Sequence, residues 1–300
     1  MYKISINTKS NVICKLIILY KYYPVNNTHI LKFLVTFLSN YVSIPLEVGI
    51  MFFTPEGKMP EGLGFKLYDT THLLWLCFFV LLCTVCLIVY KKLNTKNRNI
   101  MRICMASIVF ILETAKNCVA FAVGDFHIGH MPFHLCGINV LLITFCIFKR
   151  SKTVENFLCY IGIPGAMLAL LTPDWTNMPC LNYFHIHSFV IHMFLVLYPF
   201  VLVASGDLKP DLKSMPKCIL LLIGFAIPAL ILNIIFDTNF MFLMDTAGIG
   251  FLQMFKDIFG AHQWAFPILL PIIMLIMSLP ILIVDKAKKA KKNKKELVNV

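Results

Sequence analysis

Two residues with complementary chemistry stand at the start of an apolar run, His134 and Cys136 in the segment Met131-Pro132-Phe133-His134-Leu135-Cys136-Gly137. An imidazole beside a thiol can remove its proton, and the thiolate can then attack an ester carbonyl to form a thioester. A proline in the first turn suits a helix start, because the helix leaves that N–H unpaired anyway. We therefore predict a helix that begins at Pro132 and carries the pair one turn inside.

Further ionisable residues interrupt other apolar stretches of the chain. They are His72, Glu113, Lys116, His185, His187 and His192, with Asp237 at the end of a stretch. Each costs roughly 2.5–3.5 kcal/mol at membrane depth even on lenient insertion scales, so each needs a reason. Counted at about 1.5 Å of rise per residue, they fall in the same half of the membrane as Cys136. We predict one polar cavity that opens toward the extracytoplasmic side.

The residues alone leave three chemistries open for this cavity. A cysteine and a histidine can perform acyl transfer, a set of histidines and carboxylates can hold zinc with a position for water, and a polar cavity can relay protons or bind a solute in a transporter. The spacing of these residues along the chain does not choose between the three, and the sequence has no His-Glu-x-x-His motif that would indicate zinc. A purely structural role is also open, with histidines in interhelical hydrogen bonds and Glu113 paired with Lys116 on one helix face.

The composition identifies the class of protein that must position these residues. Of 300 residues, 59% are hydrophobic and 14% are charged, against roughly 25% charged in ordinary globular chains. The apolar residues fall in continuous runs long enough to cross a bilayer core of about 30 Å. A transmembrane β-barrel would show short alternating segments instead. The sequence predicts an all-α, polytopic membrane protein.

Seven apolar runs are predicted to be transmembrane helices. They cover residues 68–90, 100–123, 132–148, 154–171, 182–204, 218–236 and 264–284. Lys and Arg follow the first, third, fifth and seventh runs, and positive residues stay cytoplasmic. We therefore expect a multi-pass protein of the cell membrane with a cytoplasmic C-terminus.

Residues 30–53 hold Lys32, Pro45 and Glu47. They are predicted to form an interfacial or re-entrant segment. If this segment instead spans the membrane, the protein has eight transmembrane helices.

The chain divides into an N-terminal extension (residues 1–60), the transmembrane domain (61–284) and a basic cytoplasmic tail (285–300). The tail is expected to bind an anionic lipid surface. Because the net charge of +12 is concentrated in short loops and the tail, no nucleic-acid partner is expected. The 11 cysteines, odd in number and mostly within apolar runs, predict packing rather than a disulfide framework. No cleavable signal peptide is recognisable, no cofactor is expected, and the oligomeric state stays open.

Five blocks carry a resemblance to a known family. They are Phe65-Lys-Leu-Tyr-Asp-Thr-Thr-His72, Glu113-Thr-Ala-Lys116, Pro132-Phe-His-Leu-Cys136, His192-Met-Phe-Leu-Val-Leu-Tyr198 and Asp237-Thr-Asn-Phe-Met-Phe-Leu243. In this order they resemble the bacterial YwaF family of integral membrane proteins, which is similar to the eukaryotic transmembrane protein 164 family. The likeness runs from about residue 60 to residue 284.

This resemblance implies acyl transfer, because the eukaryotic relatives are described as moving a polyunsaturated acyl chain onto a lysophospholipid through a cysteine. It implies Cys136 as the nucleophile and His192 as its base. We further expect His134 to position the substrate or stabilise the oxyanion, and Glu113 and Asp237 to orient histidines. Supporting roles are expected for Asn239, His72 and His187.

The favoured hypothesis is therefore acyl transfer, or hydrolysis through a thioester, on a membrane glycerolipid. The particular substrate does not carry over to bacterial members. A small-solute or proton-linked transporter is the alternative from another class. A zinc-dependent intramembrane lipid hydrolase is the third, and a more distant likeness to seven-helix lipid hydrolases keeps it open.

Overall fold

The structure is a computed structural model that describes residues 51–60, 62–248 and 250–259, together with Ile276 and Leu279. Seven helices are described: α1 (Thr70–Lys92), α2 (Thr95–Ala122), α3 (Leu135–Phe148), α4 (Lys152–Leu171), α5 (Tyr183–Ser205), α6 (Met215–Phe236) and α7 (Gly250–Phe259). These ranges contain no β-strand. Five of the helices, α1, α2, α4, α5 and α6, are long and apolar enough to cross a membrane. The prediction of an all-α, polytopic membrane protein is confirmed.

Six of the seven predicted runs correspond to helices α1 to α6. The seventh run, residues 264–284, lies outside the described residues, as do residues 1–50 and the basic tail. Helix α7 was not predicted as a separate element. The last ten residues of the predicted N-terminal extension are described, and they attach to the start of α5, where Asn182 Nδ2 donates to the carbonyl oxygens of Met51 and Thr54 at 2.8 Å each.

Short polar side chains fix where most of the helices begin. Asp69 accepts the backbone N–H of His72 at the start of α1, and Asn94 accepts that of Asn97 at the start of α2. Asn182 accepts two backbone N–H groups at the start of α5. Such N-caps satisfy donors that the first helical turn leaves unpaired. Helices α3 and α6 differ, because their N-caps, His134 and Ser214, make no side-chain hydrogen bond to the first turn.

Helix α3 begins at Leu135, so the prediction that it begins at Pro132 was wrong. His134 is the N-cap, with extended backbone (φ −70°, ψ 153°). Its ring contacts a turn after α6, where Nδ1 accepts the N–H of Met241 at 3.3 Å, and this tertiary contact holds His134 outside the helix. Gly137 permits the chain to fold back, because a Cβ there would lie 2.7 Å from Pro132 Cα. Cys136 is consequently the second residue of the helix.

Helix α4 contains a π-turn where it packs against α3. The turn covers Leu158–Gly162, and the N–H of Ile163 bonds to the carbonyl oxygen of Leu158. Pro164 follows directly, and a proline cannot donate the usual helical hydrogen bond, so the wider turn accommodates it. At Gly162 a Cβ would lie 3.1 Å from Asn139 Oδ1 of α3. The π-turn thus brings the two backbones close together.

Helix α5 is the centre of the bundle. It packs against α1, α2, α3 and α4, and its inward residues Phe189, Met193, Leu197 and Val201 have no exposed surface. By contrast, α1 and α6 bury few residues and expose long apolar faces, as helices that face lipid do. A side chain on α5 can therefore reach partners on several helices.

The two ends of the bundle differ in charge, as the alternation of basic connections predicted. One end, which we call the basic end, joins the connections after α1, α3 and α5; there Arg98 pairs with Asp207 at 2.9 Å and Lys152 with Asp211 at 3.3 Å. The opposite end, which we call the thiol end, holds Cys136 and the connections 123–134, 172–182 and 237–248.

Candidate active site

The thiol of Cys136 and the imidazole of His192 are in contact at the thiol end. Sγ of Cys136, on α3, lies 3.0 Å from Nε2 of His192, on α5, across 56 residues of sequence. Both side chains are partly buried. Among the described cysteines and histidines, this is the pair that a sulfur–nitrogen hydrogen bond joins.

The other ring nitrogen determines how His192 presents itself to the thiol. Nδ1 lies 2.6 Å from the carbonyl oxygen of Ser188, and a carbonyl oxygen only accepts. Nδ1 therefore carries the hydrogen of the neutral imidazole, which leaves the lone pair of Nε2 facing the thiol. This is the tautomer that a general base toward Cys136 requires.

An indole ring fixes the plane of the imidazole. Trp175, from the connection between α4 and α5, stacks on His192 with ring centroids 5.2 Å apart and an angle of 15° between planes. Trp175 itself is buried and packs edge-on against Phe189. A backbone carbonyl and an indole thus orient His192, where the sequence had predicted a carboxylate.

Within the described residues, the first turn of α3 keeps backbone donors without an acceptor near the thiol. The N–H groups of Leu135, Cys136 and Gly137 have no helical acceptor in front of them, and His134 provides no side-chain cap. The N-terminal end of a helix attracts negative charge. An oxygen that becomes negative near Cys136 can accept hydrogen bonds here.

His134 lies two residues before the thiol and is held by the turn that follows α6. Its ring packs against Phe240 and Phe242 with centroids 5.2 Å and 5.6 Å away. Because Nδ1 accepts the N–H of Met241, the hydrogen of the neutral ring is on Nε2. His134 therefore presents a donor, as an oxyanion-binding role would need.

Asn239 and Asn233 build that turn. Asn239 Oδ1 accepts the N–H of Met244 at 3.0 Å, and its Nδ2 donates to the carbonyl of Asp245 at 3.1 Å. The buried Asn233 donates to the carbonyl of Phe240 and accepts its N–H at 2.7 Å. Asn239, predicted as a supporting residue, thus acts on His134 through the backbone, and Asn233 was missed by the sequence analysis.

The expected contact between Asp237 and a histidine is not made among the described residues. The residue ends α6 in a left-handed conformation (φ +51°) with an exposed side chain. Within residues 51–60, 62–248 and 250–259, no hydrogen bond or ion pair joins its carboxylate to an imidazole. Asp237 occupies the αL position that ends the helix, and its backbone N–H bonds to the carbonyl oxygen of Asn233.

Glu113, Lys116 and His187 form a separate polar cluster. Lys116 Nζ lies 2.5 Å from Glu113 Oε1, which is the ion pair that their spacing favoured. The second carboxylate oxygen lies 3.7 Å from His187 Nε2, too far for a hydrogen bond. Glu113 therefore faces His187 and not His192.

His72 and His185 use both ring nitrogens in structural hydrogen bonds. His72 Nδ1 accepts the N–H of Tyr68 at 2.9 Å, and Nε2 donates to the carbonyl of Leu170 at 2.8 Å. His185 Nε2 accepts the indole N–H of Trp75 at 2.9 Å, and Nδ1 donates to the carbonyl of Met178 at 3.1 Å. Neither imidazole retains a nitrogen for substrate or metal.

A buried carboxamide next to the thiol is a further candidate that the sequence analysis missed. Asn139 follows Cys136 by three residues and so shares its helix face. It has no exposed surface, and neither of its polar side-chain atoms has a hydrogen-bond partner among the described residues. An unpaired buried amide costs roughly 1–3 kcal/mol in proteins. The signal in the sequence was a lone amide inside the apolar run 132–148.

The histidines of the bundle do not assemble a metal site in the described part of the chain. There, the group of His, Cys, Asp and Glu side chains whose ligand atoms come within 4.8 Å of one another is Asp125, His127 and His130. That group lies in the connection between α2 and α3. The zinc alternative would need a similar group near the thiol, and the described residues do not form one there.

Comparisons with known proteins identify a family. The model of the TMEM164 family matches residues 67–284, nearly the range over which the five sequence blocks carried their resemblance. A search of curated proteins and a search of solved structures returned no match.

Proposed function

The chain belongs to the TMEM164 family, and we propose that it is a membrane enzyme that transfers or hydrolyses acyl chains of glycerolipids through a thioester on Cys136. The observation that supports this most directly is the 3.0 Å contact between Cys136 Sγ and His192 Nε2. The proposal includes a cell-membrane location with the C-terminus in the cytoplasm, where the basic tail binds anionic lipid.

The first half-reaction forms the acyl-enzyme. His192 Nε2 takes the thiol proton while the thiolate attacks the ester carbonyl of a glycerolipid. As the tetrahedral intermediate collapses, the bond from the carbonyl carbon to the glycerol oxygen breaks. The imidazolium of His192 returns its proton to that oxygen, and a lysolipid leaves.

The second half-reaction releases the acyl chain. A hydroxyl group of a second lysolipid, or water, gives its proton to His192 Nε2 and attacks the thioester. The Cys136 thiolate leaves and regains the proton from the imidazolium. A lipid acceptor gives acyl transfer, and water gives hydrolysis.

Donors on α3 and at its N-cap supply the oxyanion stabilisation that both steps require. They are the free N–H groups of the first helical turn, the Nε2–H of His134 and the carboxamide of Asn139. Removing one such donor from an acyl-transfer enzyme typically lowers the rate by about 10²–10³. The unpaired state of Asn139 is explained if its partner is an atom of the substrate.

The length of α3 supports a lipid substrate. The helix has 14 residues and is therefore about 21 Å long, shorter than a hydrocarbon core of about 30 Å. Its C-terminal end meets Lys149 and Arg150 at the basic end. If those charges lie at one edge of the hydrocarbon core, the thiol lies roughly 10 Å inside the opposite edge, a depth that a lipid reaches more readily than a water-soluble substrate.

Trapping the acyl-enzyme tests the proposal. The protein, reconstituted in vesicles with a phospholipid labelled in its acyl chain, should become labelled, and hydroxylamine should release the label. Cys136→Ala should abolish labelling and turnover. Cys146→Ala is the matched control, because Cys146 is a buried cysteine on the same helix, and it should leave both unchanged.

Two outcomes would contradict the proposal. One is lipid turnover that persists in Cys136→Ala. The other is labelling that persists after Cys136→Ala and disappears after Cys146→Ala, which would assign the thioester to another thiol.

Proton-linked transport is a second candidate, and the cluster of Glu113, Lys116 and His187 favours it. The cluster joins α2 and α5, and His187 Nε2 is buried without a hydrogen-bond partner among the described residues. Ionisable groups at this depth are typical of proton pathways. Transport would predict that thiol-blocking reagents leave solute uptake unchanged and that Glu113→Gln abolishes it.

A further inference from the structure

We propose that Asp125, His127 and His130 form a site for a divalent transition metal, zinc in the first instance, in the connection between α2 and α3. One ligand atom from each side chain lies within 4.8 Å of the other two. A zinc ion bonded at about 2.1 Å holds its ligand atoms roughly 3.4 Å apart. Small side-chain rotations therefore suffice to close the three ligands around an ion.

The donor types select the kind of metal. Two imidazoles and one carboxylate suit Zn²⁺, and also Ni²⁺ or Cu²⁺, whereas Mg²⁺ and Ca²⁺ prefer a full set of oxygen ligands. Three protein ligands leave a fourth position for water or another group. The site is thus of the open kind, and it differs from a closed structural site with four protein ligands.

The surroundings make the three side chains accessible and partly ordered. His127 is exposed, and Asp125 and His130 are half-buried, so an ion can enter from solvent. Phe126 stacks on the ring of His130 with centroids 5.5 Å apart, and the two imidazoles lie 4.4 Å apart. Because these contacts already restrict the two imidazoles, metal binding costs less side-chain conformational entropy than it would for unrestrained histidines.

A metal must replace two hydrogen bonds, one of ordinary length and one long. His127 Nδ1 accepts the N–H of Gly129 at 3.1 Å, and His130 Nδ1 accepts the N–H of His127 at 3.4 Å. The second distance is at the long limit for such a bond. Each Nδ1 must either bind the metal or carry the hydrogen when Nε2 binds it, so both contacts are lost on loading.

Loading the site would order the segment that leads to the thiol. His130 lies directly before residues 131–134, which fold back against Gly137 at the start of α3. A ligand that binds only the folded state raises its stability, and the gain grows with the logarithm of the ligand concentration over Kd. The three metal ligands include neither Cys136 nor His192. The metal site and the proposed enzymatic function can therefore be tested separately.

Metal analysis of the full chain tests the site. The protein in detergent micelles, stripped with a chelator, is dialysed against zinc and its zinc content is measured. We expect one equivalent in the wild type and background content in the double variant His127→Gln, His130→Gln. Cys136→Ser and His192→Gln are the controls for a competing site at the thiol, and both should retain the full equivalent.

Cobalt provides a second readout. Co²⁺ bound by nitrogen and oxygen ligands gives weak visible bands without the intense ultraviolet bands of cobalt–thiolate bonds. Asp125→Asn keeps the shape of the side chain and should weaken zinc binding by about tenfold or more. Circular dichroism that matches the wild type verifies that each variant is folded.

Any of three results would overturn the proposal. They are zinc that dialyses away from the wild type, zinc that remains in the double histidine variant, and cobalt–thiolate bands that disappear in Cys136→Ser.

Discussion

The hydrogen bonding around Arg98 at the basic end contrasts with that around Cys136 at the thiol end. At the basic end, Arg98 donates to Asp207 and to three backbone carbonyls, and Tyr90 donates to the second oxygen of Asp207 at 2.7 Å. At the thiol end, the side chain of Asn139 and the first turn of α3 keep donors without partners in the described structure. Polar groups that make all their hydrogen bonds within the protein stabilise the fold. Only a group with an unpaired donor or acceptor can bind a substrate atom.

The same contrast exists between histidines of one helix. His185 and His192 are seven residues apart on α5, yet His185 has protein partners on both nitrogens and His192 faces a thiol. Residue type and helix face therefore do not separate a structural histidine from a candidate base. The hydrogen-bond partners of the two ring nitrogens separate the two kinds of histidine.

The largest expected effect on lipid turnover comes from substituting His192, with a substitution of His185 for comparison. His192→Gln removes the proposed base and should lower lipid turnover by about 10²–10⁴, with little change in thermal unfolding. His185→Phe leaves the indole N–H of Trp75 unpaired and should lower the free energy of unfolding by about 1–3 kcal/mol, with turnover per folded molecule retained. Equal losses of turnover in the two variants would remove the distinction.

The next effect is geometric and concerns Gly137. In Gly137→Ala, the new Cβ would lie 2.7 Å from Pro132 Cα, so the chain before α3 must shift and move Cys136 relative to His192. Because a displacement of about 1 Å can cost 10²-fold in rate, we expect turnover to fall by about 10- to 100-fold.

Gly224→Ala on α6 is the matched control for that substitution. A Cβ at Gly224 meets nothing within 4 Å, and alanine is the better helix former by up to about 1 kcal/mol. This variant should keep full activity and equal or higher stability. A Gly137→Ala variant that behaves like Gly224→Ala would show that the fold-back does not position the thiol.

A smaller effect of opposite sign on stability and activity is expected at Asn139. Asn139→Leu keeps the approximate volume and removes a buried, unpaired carboxamide, so the free energy of unfolding should rise by about 1–3 kcal/mol. Turnover should fall roughly tenfold or more, because an oxyanion donor is lost. Thermal unfolding measures the gain in stability, and a turnover assay measures the loss of activity. A loss of stability instead would indicate that the Asn139 carboxamide has a hydrogen-bond partner within the protein.

The smallest effect on turnover is expected at the basic end. Asp207→Ala leaves the guanidinium of Arg98 and the hydroxyl of Tyr90 without their acceptor and should lower the free energy of unfolding by about 1.5–3 kcal/mol. Asp211→Ala removes an exposed ion pair and should change it by less than about 1 kcal/mol. Turnover per folded molecule should match the wild type in both, and a specific loss in Asp207→Ala would link the basic end to the site.

The sequence by itself determined the membrane class, the six described apolar helices and the two oppositely charged ends. Hydropathy and helix caps depend on residues close together in the chain, so these features can be predicted from short windows. The resemblance also indicated Cys136 and His192, although it could not supply the distance between them.

Only the tertiary structure decided which polar residues have a bond left to make. It moved the start of α3 from Pro132 to Leu135, because His134 binds the turn after α6. It placed Trp175 and the carbonyl of Ser188 on His192, and it left the Asp237 carboxylate without a hydrogen bond or ion pair to a described histidine. These outcomes depend on contacts between helices distant in sequence and on which atoms those contacts saturate, which no local pattern of residues encodes.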